Sequence, residues 1–514
     1  MYMNTDLNTG TYTFLSKLNE QKKITPDMLY PFVDVHRHTQ VTDIVMNVCA
    51  GSSNTLSDVY LDYADFFECE VECVSDALSQ KRLARQGLYD LQKKHGIDAY
   101  ATWIDRCRQV GFRPWISFRM NDCHTDEKEP INSPKDFNAI AADNGWELGK
   151  EYLYYAHCYD YTVPEVRAHF LDYIREQASR YDVYGIELDF LREYHCFKYL
   201  TADMDECREI MTQFMRDVKA IILDCEKIHG HKMKIMIRLP RDIEHCLYYG
   251  FDPVKMAKEG LVDVVVTSPR FSGSDTGINV DEWRAALPGV EIVPGIEAAL
   301  GIIDGRFVDT SKEVALGIAA NYLSYDPDGL YFFNHIISPR AFSSFFSSYS
   351  EYEELIDAAH EPFPRNFTTL ACAADYKTIH QSAVRFVIIP EGYESCAGYP
   401  KMWRPIPTEL SSEAKSFEIR TGPVPKGKKC SVILGFYCGV GAFRAKLNGE
   451  ALTDFERTDI SFIEGIGYQP KISQSTACYR ARFDESLLTS PVQTIEIVVD
   501  KNSPILTWVE INVY

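Results

Sequence analysis

Two acidic residues at alternate positions of a short apolar run are the most informative feature of the sequence. The run Val183–Phe190 (VYGIELDF) carries Glu187 and Asp189 among apolar and aromatic residues that favour a strand. Because side chains at i and i+2 of a strand point to the same side, the two carboxyl groups are expected to share one face. A buried carboxylate is costly unless it is paired. This face therefore predicts either an ion-pair network or a site that uses carboxylate chemistry.

Glu297 is the second candidate carboxylate. It follows Pro294-Gly295 at the end of the candidate strand Val290–Ile296. Two carboxyl groups facing one cavity suit glycoside hydrolysis, in which one protonates the leaving oxygen and the other attacks or stabilises the oxocarbenium-like centre. We take Asp189 and Glu297 as the candidate catalytic pair, supported by Glu187. The alternative for Glu297 is an N-cap or first-turn acid of the following helix.

The elements that must position these residues alternate between short β-branched or aromatic runs and longer amphipathic stretches. This pattern is typical of repeated β-α units with a parallel sheet. Eight such units predict a (β/α)8 barrel of the α/β class, whose reactive groups lie at the C-terminal ends of the strands; an open doubly wound sheet is the alternative. The candidate strands are 41–48, 113–119, 152–158, 183–190, 234–239, 262–267, 290–296 and 329–334.

The character of the sequence changes near residue 360, where a proline-rich stretch is followed by short strands separated by turn residues. That spacing predicts a β-sandwich of jelly-roll type, and Asn448-Gly449 predicts a hairpin turn within it. The predicted strands are 384–389, 416–421, 430–437, 443–447, 476–483, 494–499 and 507–513. The predicted organisation is a lead-in segment at 1–30, the barrel at 31–360, a linker at 361–369 and an accessory β-sandwich at 370–514.

Polar residues at or just beyond the predicted strand ends are candidate substrate-binding groups. They can hydrogen-bond hydroxyl groups or adjust carboxyl pKa values, and a tryptophan in a loop can stack on a sugar face. Each also has an ordinary packing or ion-pairing role as its alternative, and Glu187 is expected to pair with Arg119 or Arg238. The set is Arg119, Asn121, Asp122, His124, Arg192, Arg238, Arg270, Asn334, His335 and Trp146, with Trp283 as a second loop tryptophan.

His36 and His38 have a spacing that metal ligands use in barrel hydrolases. A metal site would also need histidines and an aspartate on later strands, and the fifth candidate strand offers an arginine instead. We therefore predict no metal and no cofactor. A metal-dependent hydrolase that uses the two histidines is kept as an alternative.

Charge and cysteine content limit the partners and the compartment. The net charge of −21 opposes binding to nucleic acid or to an anionic membrane. The 15 cysteines include no C-x-x-C pair, the first ten residues are polar, and no apolar run is long enough to span a bilayer. These features predict a cytoplasmic protein whose partner is a carbohydrate substrate, and they leave a homo-oligomer open.

Three segments together resemble a family of glycosyl-hydrolase-like (β/α)8 proteins: Trp115–His124 (WISFRMNDCH), Tyr161–Arg167 (YTVPEVR) and Arg180–Arg192 (RYDVYGIELDFLR). The resemblance covers roughly residues 31–360. It implies a barrel with a sugar-active site around an acid motif on strand four. That motif is matched here by Glu187 and Asp189, and a motif on strand two is matched by Arg119, Asn121, Asp122 and His124.

The resemblance leaves the roles of the two carboxylates open. In the large clan of retaining glycosidases with acids on strands four and seven, the residue on strand four is the proton donor and the residue on strand seven is the nucleophile. That clan has Asn-Glu on strand four, where this chain has Glu-Leu-Asp. The C-terminal part resembles galactose-binding-like jelly rolls, with Lys446–Gly449 (KLNG) as its most recognisable turn.

These features together predict a glycoside hydrolase that acts on a small oligosaccharide or glycoside. Besides the metal-dependent hydrolase, two alternatives stay open. One is a non-catalytic carbohydrate-binding protein. The other is a sugar-acid lyase or isomerase, because inward-pointing arginines suit a carboxylate ligand.

Overall fold

The computed structural model describes residues 1–5, 24–68, 76–122, 133–269, 277–301, 307–335, 365–388, 405–437, 440–459, 462–463, 467–468, 475–500 and 503–514. Its strands form a closed parallel barrel of eight strands and separate antiparallel sheets. The predicted fold class, a barrel followed by a β-sandwich, is therefore confirmed. The open doubly wound alternative is wrong, because the barrel closes.

The first ten strands include all eight of the barrel. In chain order they are β1 Tyr2–Thr5, β2 Asp43–Cys49, β3 Arg113–Arg119, β4 Gly185–Asp189, β5 Lys234–Leu239, β6 Val264–Thr267, β7 Glu291–Glu297, β8 Ala299–Gly301, β9 Phe307–Asp309 and β10 Tyr331–Phe333. The barrel has the order β1-β2-β3-β4-β5-β6-β7-β10, and β8 pairs with β9 as a separate antiparallel hairpin.

Seven of the eight predicted barrel strands are confirmed, and one is wrong. The stretch 152–158 was expected to be a strand, but Lys150–Tyr155 is a 3-10 helix. Its tyrosines favour a strand by propensity, yet the two buried ones, Tyr152 and Tyr155, are three residues apart, which is a helical spacing. The missing strand is β1, within the supposed lead-in segment. One predicted strand is absent and one unpredicted strand, β1, comes before it, so the count is unchanged. Strand β4 is still the fourth barrel strand and β7 the seventh.

The helices begin and end at residues suited to those positions. Asp98, Asp203 and Ser311 each accept a backbone N–H at a helix start, and Gly111 and Gly230 take left-handed φ values at helix ends. The helices are α1 Pro31–Asp34, α2 Asp65–Glu68, α3 Asp76–His95, α4 Ala99–Val110, α5 Phe137–Asn144, α6 Pro164–Arg180, α7 Met204–His229, α8 Ile243–Tyr248, α9 Pro253–Lys258, α10 Val280–Ala286, α11 Lys312–Leu323, α12 Arg365–Leu370 and α13 Tyr376–Ile379, with 3-10 helices at Pro26–Leu29, Lys150–Tyr155 and Glu485–Leu487.

Trp115 fills the barrel beside Gly185. A Cβ atom at position 185 would lie 2.4 Å from the Trp115 ring, so only glycine fits there. The indole N–H of Trp115 donates to Asp43 Oδ1 at 2.8 Å. Trp115 and Gly185 lie opposite each other in register, four residues before the C-terminal ends of β3 and β4. The interior is therefore filled at this level, and the polar residues discussed below lie further towards the C-terminal ends.

The strands after the barrel confirm all seven predicted from the sequence. They form one sheet of order β11-β22-β14-β20-β17, in which β12 also pairs with β22, another of order β13-β21-β15-β16, and the pair β18-β19. Their bounds are β11 Val384–Ile388, β12 Thr408–Glu409, β13 Lys415–Arg420, β14 Lys429–Tyr437, β15 Phe443–Leu447, β16 Glu450–Leu452, β17 Glu456–Thr458, β18 Phe462–Ile463, β19 Gly467–Tyr468, β20 Ala477–Asp484, β21 Val492–Val499 and β22 Ile505–Val513.

Two local predictions for the C-terminal region have different outcomes. Asn448 and Gly449 form the two-residue turn between β15 and β16, with φ values of 52° and 89°, so the hairpin is confirmed. The predicted linker 361–369 overlaps helix α12, which begins at Arg365. By contacts the chain divides into two compact units, 1–267 with 282–292 and 334–367, and 268–281 with 293–333 and 368–514. The domain boundaries proposed from the sequence stay a prediction.

A buried ion pair lies on β11 and β22. Arg385 donates from Nε and Nη2 to the Glu510 carboxylate at 2.7 and 3.0 Å. The indole N–H of Trp508 donates to the same carboxylate at 2.6 Å. All three side chains are buried, so three donors compensate the loss of water around Glu510.

Candidate active site at the C-terminal ends of the barrel strands

Asp189 is the centre of a charged row across three adjacent strands. Arg119, Asp189 and Arg238 lie opposite one another in the register of β3, β4 and β5, and all three are buried. Asp189 Oδ1 accepts from Arg238 Nε at 2.9 Å and from the backbone N–H of Arg192 at 3.1 Å. Oδ2 accepts from Arg238 Nη2 at 3.3 Å. This bidentate guanidinium contact fixes the orientation of the Asp189 carboxyl group.

The two oxygens of Asp189 are not equally engaged. Oδ1 accepts two hydrogen bonds, whereas among the described residues Oδ2 accepts only the longer contact from Arg238. A carboxylate oxygen has capacity for two hydrogen bonds. Oδ2 therefore has capacity for one further hydrogen bond.

Glu187 lies one layer deeper in the barrel. Its Oε2 accepts a 3.4 Å contact from Asn4 Nδ2. Asn4 is on β1, which is not a neighbour of β4, so the two side chains meet across the barrel interior. Glu187 thus points inward, as the alternation along β4 predicted, and Asp189 shares its face. Arg238, one of the two expected partners of Glu187, donates to Asp189.

Arg119 and its surroundings extend the charged row. Arg119 Nη1 donates to Asp122 Oδ2 at 3.3 Å. The Cys49 thiol contacts the Arg119 carbonyl oxygen at 3.8 Å. Burial raises the pKa of Cys49 to about 12, so the thiol stays protonated at neutral pH and is not a nucleophile.

Asn121 connects the loops that follow β3 and β4. Its Oδ1 accepts from the Tyr159 backbone N–H at 2.8 Å. Its Nδ2 donates to the carbonyl oxygens of His195 at 2.9 Å and Tyr159 at 3.3 Å. The buried amide of Asn121 is thus hydrogen-bonded to the backbone of both loops. This geometry indicates that Asn121 positions the loops around the charged row.

A stack of aromatic rings lies beside these loops. The His195 ring is parallel to Tyr155, with centroids 3.5 Å apart, and to Tyr194, with centroids 4.4 Å apart. Tyr249 meets the His195 ring edge-on at 4.9 Å. All four rings are buried, and none of them was among the residues predicted for the site. The dense run of tyrosine and histidine in Tyr194–Tyr199 was the available signal.

His245 adjoins this stack, 5.3 Å from the Tyr194 ring. Burial, with a smaller contribution from the charge of Arg241, lowers the pKa of His245 to about 3. His245 is therefore neutral at physiological pH. It follows that His245 is an aromatic packing partner rather than a proton donor there.

Three more candidate residues lie at or just after the ends of β7 and β10. Glu297 is the last residue of β7, is buried, and its backbone oxygen accepts from Thr310 Oγ1 at 3.0 Å. It belongs to a strand, so the alternative of a first-turn helix acid is wrong. Asn334 has a left-handed φ of 55°, and His335 is buried.

The two candidate tryptophans lie in packing positions. Trp146 packs against Phe137 with ring centroids 6.0 Å apart. Trp283 was expected in a loop, but it is in α10, is buried and donates to the Arg241 carbonyl at 3.0 Å, so its loop assignment is wrong. Two candidates, His124 and Arg270, lie outside the described residues.

The two histidines of the metal alternative differ in environment. His36 is buried, whereas His38 is exposed. Burial lowers the pKa of His36 to about 4. Among the residues that the structure describes, no three His, Cys, Asp or Glu side chains are grouped so that they could hold a metal ion. Nothing in this part of the chain therefore supports the metal-dependent alternative.

Comparison with known proteins gives similarities of fold alone. The chain is similar to a cycloisomaltooligosaccharide glucanotransferase from Paenibacillus sp. (9% identity, TM-score 0.35). The similarity includes 99% of this chain but only 57% of that enzyme. It is similar to the PgaB glycoside hydrolase domain from Bordetella bronchiseptica (11% identity, TM-score 0.37), over 70% of this chain and 99% of that one. A third is the α-fucosidase from Thermotoga maritima in complex with fucose (11% identity, TM-score 0.33), over 95% of this chain and 82% of that one.

These values limit what the comparisons contribute. No protein-family model matches the chain, and no curated protein matches it in sequence. At TM-scores below 0.5 the similar structures carry no weight in assigning an activity. The chain belongs to the class of closed parallel barrels followed by antiparallel β-sheets, and its function has to be argued from its own residues.

Within the described ranges, no helix is both long enough and apolar enough to span a membrane.

Proposed function

We propose that this protein is a glycoside hydrolase that acts on a small oligosaccharide or glycoside, with Asp189 and Glu297 as its catalytic carboxylates and without a cofactor. The observation that carries the proposal is the state of Asp189. It is a buried carboxyl group, oriented by Arg238, at the C-terminal end of β4, which is where barrel enzymes hold their reactive groups. Glu297 is the last residue of β7 and is also buried.

The contacts of Asp189 support a role as the nucleophile. A proton donor needs a protonated oxygen, but both oxygens of Asp189 accept from Arg238. Oδ2, the less engaged oxygen, suits attack on the anomeric carbon. Glu297 is then the proton donor to the leaving oxygen. This is the reverse of the roles in the large clan with acids on strands four and seven.

The neighbouring residues have supporting roles in this proposal. Arg238 and the backbone of Arg192 hold Asp189. Arg119 and Asp122 are proposed to contact substrate hydroxyl groups, and Glu187 contributes negative charge beneath the oxocarbenium-like centre. His124, Arg270, Asn334, His335 and Trp146 remain proposed substrate-binding residues.

The test is hydrolysis of a panel of aryl glycosides and oligosaccharides. We expect turnover of at least one sugar, and Asp189→Asn should lower kcat on the order of 10³–10⁶-fold. Asp242→Asn is the matched control, because Asp242 caps α8 by accepting from the His245 backbone N–H at 2.7 Å, and asparagine caps equally well. No turnover across the panel, or equal rates for Asp189→Asn and wild type, would contradict the proposal.

We also propose a cellular compartment for the protein and a role for its C-terminal sheets. Nine of the ten described cysteines are buried and all ten are free thiols, which supports a reducing, cytoplasmic location. The C-terminal sheets are proposed to be an accessory module of the galactose-binding-like type.

A further inference from the structure

Helix α11 is buried on all its faces. Nine consecutive residues, from Val314 to Tyr322, are buried. A helix on the outside of a barrel ordinarily buries residues three or four apart and keeps a polar face in water. Nine buried residues in a row extend over more than two turns, so α11 is also covered on the face that points away from the barrel strands.

The C-terminal sheet that contains β11 supplies this cover at Gly317. A Cβ atom at position 317 would lie 1.9 Å from the carbonyl oxygen of Arg385 on β11. The backbone of the helix therefore touches the backbone of the strand, and any side chain larger than a hydrogen atom would push the two apart. Because a backbone cannot turn aside as a flexible side chain can, this contact fixes the separation of α11 from β11.

Polar contacts tie the C-terminal end of α11 to β13 and α13. Asn321 Nδ2 donates to the carbonyl oxygen of Arg420 on β13 at 2.9 Å. The hydroxyl of Tyr376 on α13 donates to the Ala320 carbonyl oxygen at 2.6 Å. Just after the helix, the Arg420 guanidinium lies 3.8 Å from the centre of the Tyr325 ring. The chain that follows the barrel therefore holds α11 from its middle to its end.

The N-terminal end of α11 is attached to the end of β7. Ser311 caps the helix, and Thr310 precedes it. Thr310 is buried, and its Oγ1 donates to the Glu297 carbonyl oxygen at 3.0 Å. The Thr310 backbone N–H donates to the Ala298 carbonyl oxygen at 2.8 Å. One residue at the start of α11 thus makes two hydrogen bonds to the last residue of β7 and the residue after it.

We propose that Thr310 is a positioning residue for Glu297, and that the C-terminal sheets hold Thr310 in place through α11. This role rests on the proposed function, in which Glu297 is the proton donor. Residues 293–333 also group by contacts with 368–514, so Glu297 belongs to the compact unit that contains the sheets. A proton donor must lie within hydrogen-bond reach of the leaving oxygen, so a small displacement of its backbone lowers the rate. The sheets then contribute to the reaction by fixing a carboxyl group.

The first comparison is between Thr310→Val and Thr310→Ser. Valine has nearly the shape of threonine but donates no side-chain hydrogen bond, whereas serine keeps the hydroxyl. The measurement is kcat/KM for the methyl and dinitrophenyl glycosides of the sugar that the enzyme hydrolyses best. Because only the methyl glycoside has a leaving group that needs a proton, Thr310→Val should lower kcat/KM about tenfold for it and less than about twofold for the dinitrophenyl glycoside. Thr310→Ser should stay close to the wild type on both.

The second comparison is between two glycine variants. Gly317→Ala pushes α11 away from β11, whereas the matched control Gly435→Ala crowds β14 of the same sheet, where a Cβ atom would lie 2.2 Å from Ser475 Oγ. Both should lower the stability, but only Gly317→Ala should lower kcat/KM about threefold or more for the methyl glycoside alone. Amide hydrogen exchange of peptides that contain Thr310 should become faster in Gly317→Ala and stay unchanged in Gly435→Ala. If Gly317→Ala does not fold, Tyr376→Phe takes its place, because it removes a hydrogen bond to α11 without adding volume.

The outcomes separate this role from the proposed function. Equal losses on the two glycosides in Thr310→Val, or no loss on either, would overturn the positioning role and leave the hydrolase proposal intact. Unchanged exchange at Thr310 in Gly317→Ala would overturn the part assigned to the sheets. Absence of any glycoside turnover would overturn the proposed function and the catalytic role of Thr310 together, and the exchange experiment would still decide whether the sheets hold this residue.

Discussion

Arg238 on β5 binds Asp189 on β4 through two guanidinium hydrogen bonds, from Nε at 2.9 Å and from Nη2 at 3.3 Å, and both side chains are almost fully buried. Neighbouring strands in register bring the two residues together without any loop. The carboxylate proposed to attack the substrate is therefore held by the rigid part of the barrel, and its charge is compensated before substrate binds.

Removing Arg238 should destabilise the protein, because it leaves a buried carboxylate without its guanidinium partner. We expect Arg238→Met to lower the free energy of unfolding by about 3–5 kcal/mol. The double variant Arg238→Met/Asp189→Asn should recover part of this loss, since the charge of Asp189 is then removed as well. Urea unfolding of both variants checks the prediction, and a double variant less stable than Arg238→Met would contradict it.

Replacing Glu297 should affect substrates according to their leaving groups. A proton donor contributes about 10²–10⁴-fold to the rate, so Glu297→Gln should lose this factor on substrates with a poor leaving group. With a dinitrophenyl leaving group, which departs without protonation, the loss should nearly disappear. Steady-state rates on the two substrates test this. An equal loss on both would show that Glu297 is not the proton donor.

The Arg385–Glu510 pair in the C-terminal sheets offers a test of buried charge outside the site. Glu510→Leu leaves the buried Arg385 without its carboxylate and should cost about 3–5 kcal/mol of stability. In Glu510→Leu/Arg385→Met both charges are gone, so the double variant should be more stable than the single one. Thermal unfolding of the two proteins measures the difference, and the reverse order would contradict the prediction.

His36 should make the stability depend on pH. Burial lowers its pKa in the folded protein to about 4 from 6.5, so the unfolded chain binds the proton more readily. Its effect is absent above pH 6.5 and grows as the pH falls towards 4. At about 1.4 kcal/mol per pKa unit, the loss is on the order of 3 kcal/mol. Urea unfolding of His36→Gln between pH 7 and pH 4 should show a flatter dependence than the wild type, whereas a variant of the exposed His38, His38→Gln, should match the wild type. Equal slopes for His36→Gln and the wild type would contradict this.

The sequence predicted the parts of the fold that repeat. Seven barrel strands and seven strands of the C-terminal sheets have enough apolar or alternating residues to be recognised. Strand β1 has four residues, too few for an alternation to show, and it is recognisable only through its pairing with β2. The tyrosines at 152 and 155 favoured a strand by type, but their burial on one side of a 3-10 turn decided the structure.

The candidate site was predictable where it depends on a single strand. The shared inward face of Glu187 and Asp189 follows from alternation along β4. Which arginine binds which carboxylate depends on the register between β4 and β5, which the sequence does not specify. The Tyr155–His195 stack joins loops that follow two different strands, so no local pattern reveals it.

The most direct test of the central claim, that Asp189 is the catalytic nucleophile, is to identify the residue labelled by a 2-deoxy-2-fluoro glycoside with a good leaving group. Such a compound accumulates the covalent glycosyl-enzyme of a retaining glycosidase. Peptide mass spectrometry should find the sugar on Asp189, and the Asp242→Asn control should be labelled to the same extent. A label on Glu297 or another carboxylate, or hydrolysis of the parent glycoside with inversion and without a label, would contradict the claim.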